Sequence, residues 1–586
     1  MRILLVRASP VGRGRLGIVP PGIVPPLGIL SLAASLRRSR PEDDVRIADA
    51  SIDFGSAGDM EALVASWEPD IVGLSGLSQE AFHVRSLAAA SRRARPDAPV
   101  IAGGPIASAF PAGVLEHISE LDASCYGEGE ETIVEIAWRI ASGRGLDGVR
   151  GTVFRAPGGA LVTNRPRPFI KDLDSLPAID WGLVDLGVYS RTMNFAHLPP
   201  DRAGYVPMIT TRGCPYGCSY CHKFFGKNVR SMSPAAIAAE MDRIARTYGV
   251  REFHIVDDIF NHRRGRVIAF CREIEARRLD VRLAFPNGLR GDILDAEDVG
   301  ALSSTGLFFT ALAIESVVPR IQRLVRKNLD VERVFEVASS FAGGGVLTRA
   351  FVMLGFPTET REEMEETVRR VVESEFHMAM FFSVTPYPGT PLFDIAVRSG
   401  FDPRLWVEKR FTYDRDFVNT STLPDGEYGD LLREARRRFY THPGRRDRLV
   451  AWLATNGITE HPYIRQSTVW RMILESASGE GAWAEDGDLA AAPATPPPDL
   501  VPGLALASGW RVAAVRTGTS DHEIEITNGH GASAVLLLSP RDDAAPCMAR
   551  SGPWNIGIRS ERPIDTLPRD LEEAVRSFTA ILSGSG

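Results

Sequence analysis

Two stretches of the chain alternate short apolar strands with amphipathic helices, and this alternation restricts the fold more than any other feature. In the first stretch the sequence predicts strands over residues 3–6, 45–48, 70–75, 99–105 and 123–126. Apolar strands joined by helices form a parallel sheet that is covered on both faces. Ligands of such a sheet bind beyond the carboxyl ends of its strands. We therefore expect an α/β chain that begins with a doubly wound sheet.

The second stretch contains six more strands with helices between them. They are predicted over residues 208–210, 252–256, 282–285, 308–314, 348–354 and 380–383. Six parallel strands with intervening helices form an incomplete barrel, a partial (β/α)6 version of the TIM barrel. Chemistry in such barrels takes place at the carboxyl ends of the strands. The residues that follow these strands are therefore the candidates for a catalytic site.

The remaining parts of the chain carry weaker patterns. A hairpin is predicted between the two stretches, with its turn at residues 157–159. Helices are predicted over residues 431–453 and 567–582, the latter behind a small set of strands. The expected domains are a doubly wound domain (1–145), a connector (146–200), a partial barrel (201–405), a helical extension (406–476), a flexible linker (477–502) and a small α/β module (503–586).

Composition excludes several classes of protein. The net charge of −7 and the pI of ≈ 6.0 argue against nucleic acid as the main partner. The sequence has no run of about 18 apolar residues, so no membrane span is expected, and its N-terminus lacks the apolar core of a signal peptide. Six cysteines in 586 residues are too few for a disulfide scaffold. The sequence therefore indicates a reducing, cytoplasmic location with metal or redox use of clustered cysteines.

Three of the six cysteines fall in the segment RGCPYGCSYC, at Cys214, Cys218 and Cys221. This spacing suits three thiolates that bind three irons of a [4Fe–4S] cluster, which leaves the fourth iron open. The alternatives are incidental cysteines and a zinc site with His222 as the fourth ligand. Adjacent ligands at 221 and 222 suit one tetrahedral ion poorly. We therefore predict a cluster with an open iron.

The cysteine segment and the strand ends after it resemble those of radical S-adenosylmethionine (SAM) enzymes. In that family the open iron chelates SAM, and reduction yields a 5′-deoxyadenosyl radical. The resemblance implies that SAM is bound by residues at the carboxyl ends of the barrel strands: Tyr220, Asp257, Asp258, Glu315, Ser316, Gly355 and Pro357. The simpler alternatives are helix caps for the two aspartates and an ordinary ion pair for Glu315.

The N-terminal stretch, placed before such a barrel, resembles the Rossmann-like domain of cobalamin-dependent radical SAM enzymes. The resemblance implies a cobalamin site at Gly28, Ser75, Gly103, Gly104, Pro105, Tyr126, Gly127 and Glu128. Glycines at strand ends would let a corrin ring lie close to the backbone, although glycines also form tight βα turns. The motif that supplies a lower cobalt ligand, Asp-x-His-x-x-Gly, is absent, so that ligand is expected to be water, another side chain or nothing.

The resemblance implies a cobalamin-dependent radical SAM C-methyltransferase. Methylcobalamin would supply a methyl group to an unactivated carbon after the deoxyadenosyl radical removes its hydrogen. We expect a small-molecule substrate, free or carrier-bound, in antibiotic or related biosynthesis, and flavodoxin or ferredoxin as the electron donor. The residues that act on the substrate are not identified by the sequence.

Three alternatives stay open. The same cofactors serve oxidative cyclisation or ring contraction without methyl transfer. Methylthiolation normally needs three further cysteines in the N-terminal domain, where this chain has Cys125. A cobalamin or redox sensor would keep the cluster but would need no SAM pocket, which the strand-end residues up to Glu315 count against.

Overall fold

The computed structural model describes residues 1–10, 24–190, 196, 198–200, 203–398, 401, 419–461, 464 and 470, and the backbone of 510–517, 522–528, 533–540, 549–551 and 554–559. These residues fall into two compact units: one contains both parallel sheets and the other contains the C-terminal sheet. The strands are β1 Arg2–Arg7, β2 Asp44–Asp49, β3 Ile71–Ser75, β4 Val100–Gly103, β5 Ala123–Cys125, β6 Thr152–Arg155, β7 Leu161–Thr163, β8 Tyr205–Met208, β9 Thr211–Arg212, β10 Arg230–Ser231, β11 Glu252–Ile255, β12 Arg282–Leu289, β13 Leu307–Glu315, β14 Leu347–Leu354, β15 Met378–Ser383, β16 Trp510–Thr517, β17 His522–Asn528, β18 Ser533–Pro540, β19 Ala549–Ser551 and β20 Trp554–Arg559.

Helices connect most of these strands. They are α1 Leu27–Ser39, α2 Ala50–Asp53, α3 Ala57–Trp67, α4 Ala81–Ala94, α5 Gly104–Ala109, α6 Pro111–His117, α7 Glu130–Ala141, α8 Leu186–Tyr189, α9 Pro234–Tyr248, α10 Arg266–Ala276, α11 Ala296–Ser304, α12 Pro319–Leu324, α13 Val331–Gly343, α14 Arg361–Glu373, α15 Pro391–Arg398, α16 Asp425–Tyr440 and α17 Pro443–Thr455. Short 3₁₀ helices cover Ser78–Glu80, Leu173–Ser175, Trp181–Leu183 and Gly291–Ile293.

The N-terminal sheet has the order β2-β1-β3-β4-β5-β6-β7. Strands β1 to β5 pair in parallel, and separate apolar clusters pack around them. The predicted doubly wound sheet is therefore confirmed. The hairpin predicted in the connector forms β6 and β7, and it adds to this sheet because β6 pairs antiparallel with β5.

The barrel sheet has the order β15-β14-β13-β12-β11-β8, with every neighbouring pair parallel. Its strands follow chain order, so their carboxyl ends form one continuous edge. The first strand begins earlier than predicted, at Tyr205 instead of Met208. One large apolar core packs helices α9, α10, α11, α13, α14, α16 and α17 against the sheet. The partial barrel predicted from the strand series is therefore confirmed.

Two local predictions were wrong. The segment 99–105 does not end in a simple turn, because Gly104 and Pro105 begin helix α5. The single helix predicted over 431–453 is two helices, α16 and α17, because Pro443 lacks the N–H needed to continue a helix and begins a new one instead.

The C-terminal unit contains a five-stranded antiparallel sheet with the order β16-β17-β18-β20-β19. The strands predicted for this module are confirmed. The predicted linker 477–502 and the predicted helix 567–582 lie outside the described residues. Among the described residues, no helix is both long and apolar enough to cross a membrane.

Candidate active site

The three cysteines lie in a loop that a short antiparallel ribbon, β9 and β10, closes at its base. Gly213 begins this cysteine loop with a φ of +93°, and a Cβ there would lie 2.7 Å from the carbonyl oxygen of Asn228. Cys214 donates its N–H to the carbonyl of Gly226 at 3.1 Å. Glycine is required at the start of the loop because both the φ angle and the space exclude a side chain.

The thiols sit at different depths: Cys214 is half-buried, Cys218 is buried and Cys221 is exposed. A hydrogen bond from Cys221 lowers the pKa of Cys218 to about 6, while burial raises the pKa of Cys214. Within the described ranges, no three His, Cys, Asp or Glu side chains converge on a single metal ion. A cluster takes one thiolate per iron, so its ligands need not meet at one atom. This donor set fits a [4Fe–4S] cluster held by three cysteines.

Two aspartates just after β11 bind the backbone at the start of the cysteine loop. The Asp257 carboxylate accepts the N–H groups of Thr210 at 2.5 Å and Thr211 at 3.0 Å, and the Thr210 hydroxyl at 2.6 Å. Burial raises the pKa of Asp257 to about 6. Asp258 accepts the N–H of Gly213. The structure therefore places both aspartates on the backbone that leads into the loop.

Glu315, at the end of β13, links the cysteine loop to the barrel edge. Its backbone is left-handed, with a φ of +64°, in a bulged part of the strand. Its Oε1 accepts the Tyr220 hydroxyl at 3.2 Å and the Lys327 ammonium at 2.9 Å. A left-handed non-glycine residue costs energy, and such strain recurs at functional sites. The carboxylate is held in one position next to the predicted cluster.

The other residues predicted to bind SAM lie at the ends of β13 and β14. The Ser316 hydroxyl is fully buried and lies 3.2 Å from the hydroxyl of Thr367, behind the strand edge. Gly355 has a φ of +89°, and a Cβ there would lie 2.5 Å from the Tyr428 hydroxyl oxygen. Pro357 is buried in the turn that follows. Gly355 therefore lets helix α16 pack against the strand end.

The carboxyl end of the N-terminal sheet brings together predicted residues of neighbouring strands. Ser75 ends β3, and Gly104 begins α5 directly after β4 with a φ of +78°. A Cβ at Gly104 would lie 2.6 Å from the Ser75 hydroxyl oxygen. Pro105 follows in the first turn of α5, where its missing N–H costs no hydrogen bond. These residues pack against each other and shape the edge.

Three other glycines of this edge face open space. A Cβ built on Gly28, Gly103 or Gly127 meets no heavy atom within 4 Å. The Tyr126 hydroxyl donates to the carbonyl of Asn164 at 2.6 Å, which fixes its ring beside Gly127. Bare backbone with open space above it fits the broad face of a corrin ring.

Buried ion pairs connect this edge to the cysteine loop. Glu128 Oε1 accepts Nη1 of Arg212 at 3.0 Å and Nη1 of Arg230 at 2.7 Å. Glu130 accepts Nη2 of Arg212 at 2.5 Å. Burial alone would raise the pKa of Glu130, but the Arg212 charge holds it below its ordinary value. The structure therefore places Glu128, predicted to contact cobalamin, on the base of the cysteine loop.

A cavity of about 240 Å³ lies between the cysteine loop and the N-terminal sheet. His222, the alternative zinc ligand, lines it, and its Nε2 lies 2.8 Å from the Pro388 carbonyl oxygen. The His222 ring stacks on Phe224 with centroids 4.4 Å apart. Tyr126, Gly127, Lys223 and Gly389 also line this cavity.

Several curated proteins are similar to the chain over most of its length. It is 27% identical to an uncharacterized methyltransferase of Pyrococcus horikoshii over 421 residues, 72% of this chain and 88% of that protein. It is 24% identical to the anaerobic magnesium-protoporphyrin IX monomethyl ester cyclase of Rubrivivax gelatinosus, over 71% and 74% of the two chains. It is 28% identical to the cytidylyl-2-hydroxyethylphosphonate methyltransferase of Streptomyces wedmorensis, over 67% and 78%.

Two solved structures share the fold. TsrM from Kitasatospora setae, with cobalamin and a [4Fe-4S] cluster bound, matches with a TM-score of 0.56 at 21% identity, over 77% of this chain and 88% of that one. The cobalamin-dependent SAM radical enzyme OxsB, with aqua-cobalamin and SAM bound, matches with a TM-score of 0.58 at 15% identity, over 81% and 74%.

Two family models match separate parts of the chain. The model of the B12 binding domain matches residues 15–137, and the model of the radical SAM superfamily matches residues 208–371. The chain therefore combines a B12-binding domain with a radical SAM domain, the combination found in cobalamin-dependent radical SAM enzymes. The resemblance and the fold class predicted from the sequence are thereby confirmed. The named relatives include both methyltransferases and cyclases.

Sequence reasoning missed several residues of this radical SAM enzyme. Lys327 was not singled out, although it is one of five lysines in a chain with 67 basic residues, which is a usable signal. Arg212 and Arg230 gave no signal, because their partners lie about 80 to 100 positions earlier in the chain. Gly389, whose Cβ would lie 2.9 Å from the Ala109 carbonyl oxygen, was not among the predicted site residues either.

Proposed function

We propose that this enzyme transfers a methyl group to an unactivated carbon of a small molecule in natural-product biosynthesis. The observation that carries the proposal is the set of buried ion pairs between the B12-binding domain and the cysteine loop. Glu128, which directly follows the open glycine edge of the B12-binding domain, pairs with arginines at both ends of the cysteine loop. A cobalamin on that edge and a cluster in that loop would share one site. The methyltransferase relatives support the same reaction class.

Each cofactor has a proposed set of residues. Cys214, Cys218 and Cys221 hold the cluster. Tyr220, Asp257, Asp258, Glu315, Ser316, Gly355 and Pro357 form the SAM pocket. Gly28, Ser75, Gly103, Gly104, Pro105, Tyr126 and Gly127 form the cobalamin edge, and Glu128 borders it and joins it to the cysteine loop. When bound, the cluster and SAM supply a radical that removes hydrogen from the substrate, and cobalamin carries the methyl group.

The main contribution of the protein is to hold the cofactors and the substrate in position, and acid–base chemistry contributes less. Tyr220 and Lys327 hold the Glu315 carboxylate at one position, where it can accept hydroxyl groups of a ligand. Asp257 and Ser316 act through the backbone they brace, because their side chains bond to Thr210, Thr211 and Thr367. The charged side chains at the loop base are largely buried, and a site that forms a radical needs such protection from water.

The proposal is tested by anaerobic reconstitution with iron, sulfide, hydroxocobalamin and methyl-labelled SAM, followed by mass spectrometry against cell extract. A product that gains one labelled CH₂ unit supports methyl transfer. Omission of cobalamin should stop the gain of label and leave the formation of 5′-deoxyadenosine. A product that gains no carbon would instead support the cyclase reading, which the similarity to the Rubrivivax gelatinosus enzyme favours.

The cellular setting is part of the same proposal. We propose a cytoplasmic enzyme that receives electrons from flavodoxin or ferredoxin and takes a free or carrier-bound substrate. We also propose the domain ranges 1–145, 146–200, 201–405, 406–476, 477–502 and 503–586. Reduction of the reconstituted cluster by flavodoxin, followed by its optical bleaching, tests the electron donor directly.

A further inference from the structure

The ribbon at the base of the cysteine loop presents two arginines side by side. Arg212 on β9 and Arg230 on β10 are register partners, so they mark the point where the chain enters and leaves the loop. Both guanidinium groups are largely buried, with 10% and 11% of their side-chain surfaces exposed. Two like charges this close and this buried repel each other unless carboxylates separate them.

The B12-binding domain supplies the two carboxylates. Glu128 and Glu130 are 3% and 8% exposed at their side chains. Glu128 bonds to both arginines, while Glu130 bonds to Arg212 and accepts the Ser31 hydroxyl at 2.9 Å. Two negative charges therefore meet two positive charges. We call Glu128, Glu130, Arg212 and Arg230 the loop clamp.

The segment between the domains closes the loop clamp from the outside. The N–H of Ile170 donates to Glu128 Oε2 at 2.6 Å, and the carbonyl of Ile170 accepts Arg230 at 2.7 Å. The Arg230 guanidinium also lies 4.7 Å from the centroid of the Phe169 ring. With both of its oxygens occupied, Glu128 is built into this contact and is not left facing the open edge.

Residues of the loop clamp are direct chain neighbours of residues proposed to hold each cofactor. Gly127, on the open edge proposed for cobalamin, is the residue before Glu128. Gly213 and Cys214, which begin the cluster loop, directly follow Arg212. A shift of the clamp would therefore move the cobalamin edge and the first cluster ligand relative to each other.

We infer that the loop clamp positions the cobalamin edge against the iron–sulfur loop, with Glu128 as a positioning residue that contacts neither cofactor. The inference rests on the proposed function, because it needs both cofactors bound. Arg212 bridges two carboxylates through separate nitrogens, a geometry that lysine cannot reproduce. Arg212→Lys should therefore keep the charge and still loosen the arrangement.

The test measures the relation between the two cofactors without any substrate. The full chain is reconstituted with iron, sulfide and hydroxocobalamin and is reduced anaerobically, so that cob(II)alamin and the reduced cluster are both paramagnetic. Pulsed electron paramagnetic resonance then reports how strongly the cluster speeds the spin relaxation of cob(II)alamin, which depends steeply on their separation. Optical spectra and iron content give the occupancy of each cofactor.

We expect a uniform relaxation enhancement in the wild type, and a weakened, dispersed enhancement at full cofactor occupancy in Glu128→Gln and Arg212→Lys. Glu130→Gln, which loses one ion pair of the loop clamp, should show a smaller effect. It replaces Glu128→Gln in the test if that variant does not fold. The matched control is Glu135→Gln, which removes the carboxylate that pairs with Arg167, and it should leave the enhancement unchanged.

The outcomes separate the inference from the function. If both cofactors bind and the enhancement in the clamp variants equals that of the wild type, the inference is overturned and the proposed function stands. If the wild type binds no cobalamin or no cluster, the proposed function fails and the inference fails with it. Equal loosening in Glu135→Gln would also overturn a specific role for the clamp.

Discussion

At the scale of single residues, the site depends on side chains that hold one another in position through hydrogen bonds and ion pairs. Glu315 keeps its left-handed backbone because Tyr220 and Lys327 hold its carboxylate. The alternative reading of Glu315 as an ion-pair partner is correct for the structure as it stands, since Lys327 is that partner. An ion pair at a strained strand end and a ligand contact do not exclude each other.

One buried histidine makes the stability of the barrel depend on pH. His377, at the start of β15, accepts the N–H of Thr348 through Nδ1 at 3.2 Å and is 4% exposed. Burial, together with the Arg448 and Arg445 charges, lowers the pKa of His377 to about 4. An unfolded histidine titrates near pH 6.5, so the unfolded state binds the proton first and stability falls between about pH 6.5 and pH 4.

The variant His377→Asn should reveal this dependence. We expect the wild type to lose about 2 kcal/mol more stability than the variant on going from pH 7 to pH 5. Asparagine retains an acceptor for the Thr348 N–H and has no proton to bind. Denaturant unfolding of both proteins at several pH values measures the difference. Parallel curves for the two proteins would show that the pKa of His377 is the same in the folded and unfolded states.

At the scale of elements, one arginine ends a helix of the barrel. Arg445, in α17, is fully buried and donates to carbonyls at the end of α14 and just beyond it. These are the carbonyls of Val372 at 2.5 Å, Ser374 at 3.1 Å, Val371 at 3.4 Å and Phe376. The last carbonyls of a helix have no partner within it, so this side chain joins the helical extension to the barrel.

Replacement of Arg445 by alanine should cost about 3 kcal/mol, because several buried carbonyls lose their donor at once. Thermal unfolding measured by circular dichroism gives the difference from the wild type. Arg437→Ala is the control, since Arg437 forms a half-exposed pair with Glu434 on α16, and it should stay within about 0.5 kcal/mol of the wild type. Equal effects of the two changes would remove the capping role.

The sequence predicted elements better than contacts. Apolar runs fix strands locally, so β11 to β15 were located correctly. The break before Pro443 was missed because the amphipathic pattern of α16 continues across it, although proline itself signals a break. Glu128 was assigned to the cobalamin edge from the family resemblance, whereas its partners Arg212 and Arg230 are brought to it only by tertiary folding. Charges that pair across such distances leave no periodic pattern.

At the scale of the whole described unit, the two parallel sheets meet through close backbone approaches as well as ion pairs. Gly389, after β15, has a φ of +80°, and a Cβ there would lie 2.9 Å from the carbonyl oxygen of Ala109 in α5. The neighbouring Pro388 carbonyl contacts His222 at the end of the cysteine loop. The loop after β15 therefore touches both the B12-binding domain and the cluster loop.

Gly389→Ala tests this approach against a matched glycine. Gly249, which ends α9 with a φ of +74°, has open space around a built Cβ. Both changes introduce about 1 kcal/mol of left-handed backbone strain, but only Gly389→Ala adds a clash with another backbone. We expect a clearly lower thermal midpoint for Gly389→Ala than for Gly249→Ala. Equal midpoints would show that the two domains can separate slightly at Gly389 without a loss of thermal stability.

The most direct test of the proposed function is whether the cluster held by the cysteine loop cleaves SAM. The reconstituted enzyme is incubated anaerobically with dithionite and SAM, and 5′-deoxyadenosine is quantified by liquid chromatography and mass spectrometry. We predict 5′-deoxyadenosine from the wild type and from Cys271→Ala, whose cysteine is buried in α10 outside the loop, and none from Cys218→Ala. The absence of 5′-deoxyadenosine from wild type that carries a full cluster, or its persistence in Cys218→Ala, would contradict the account.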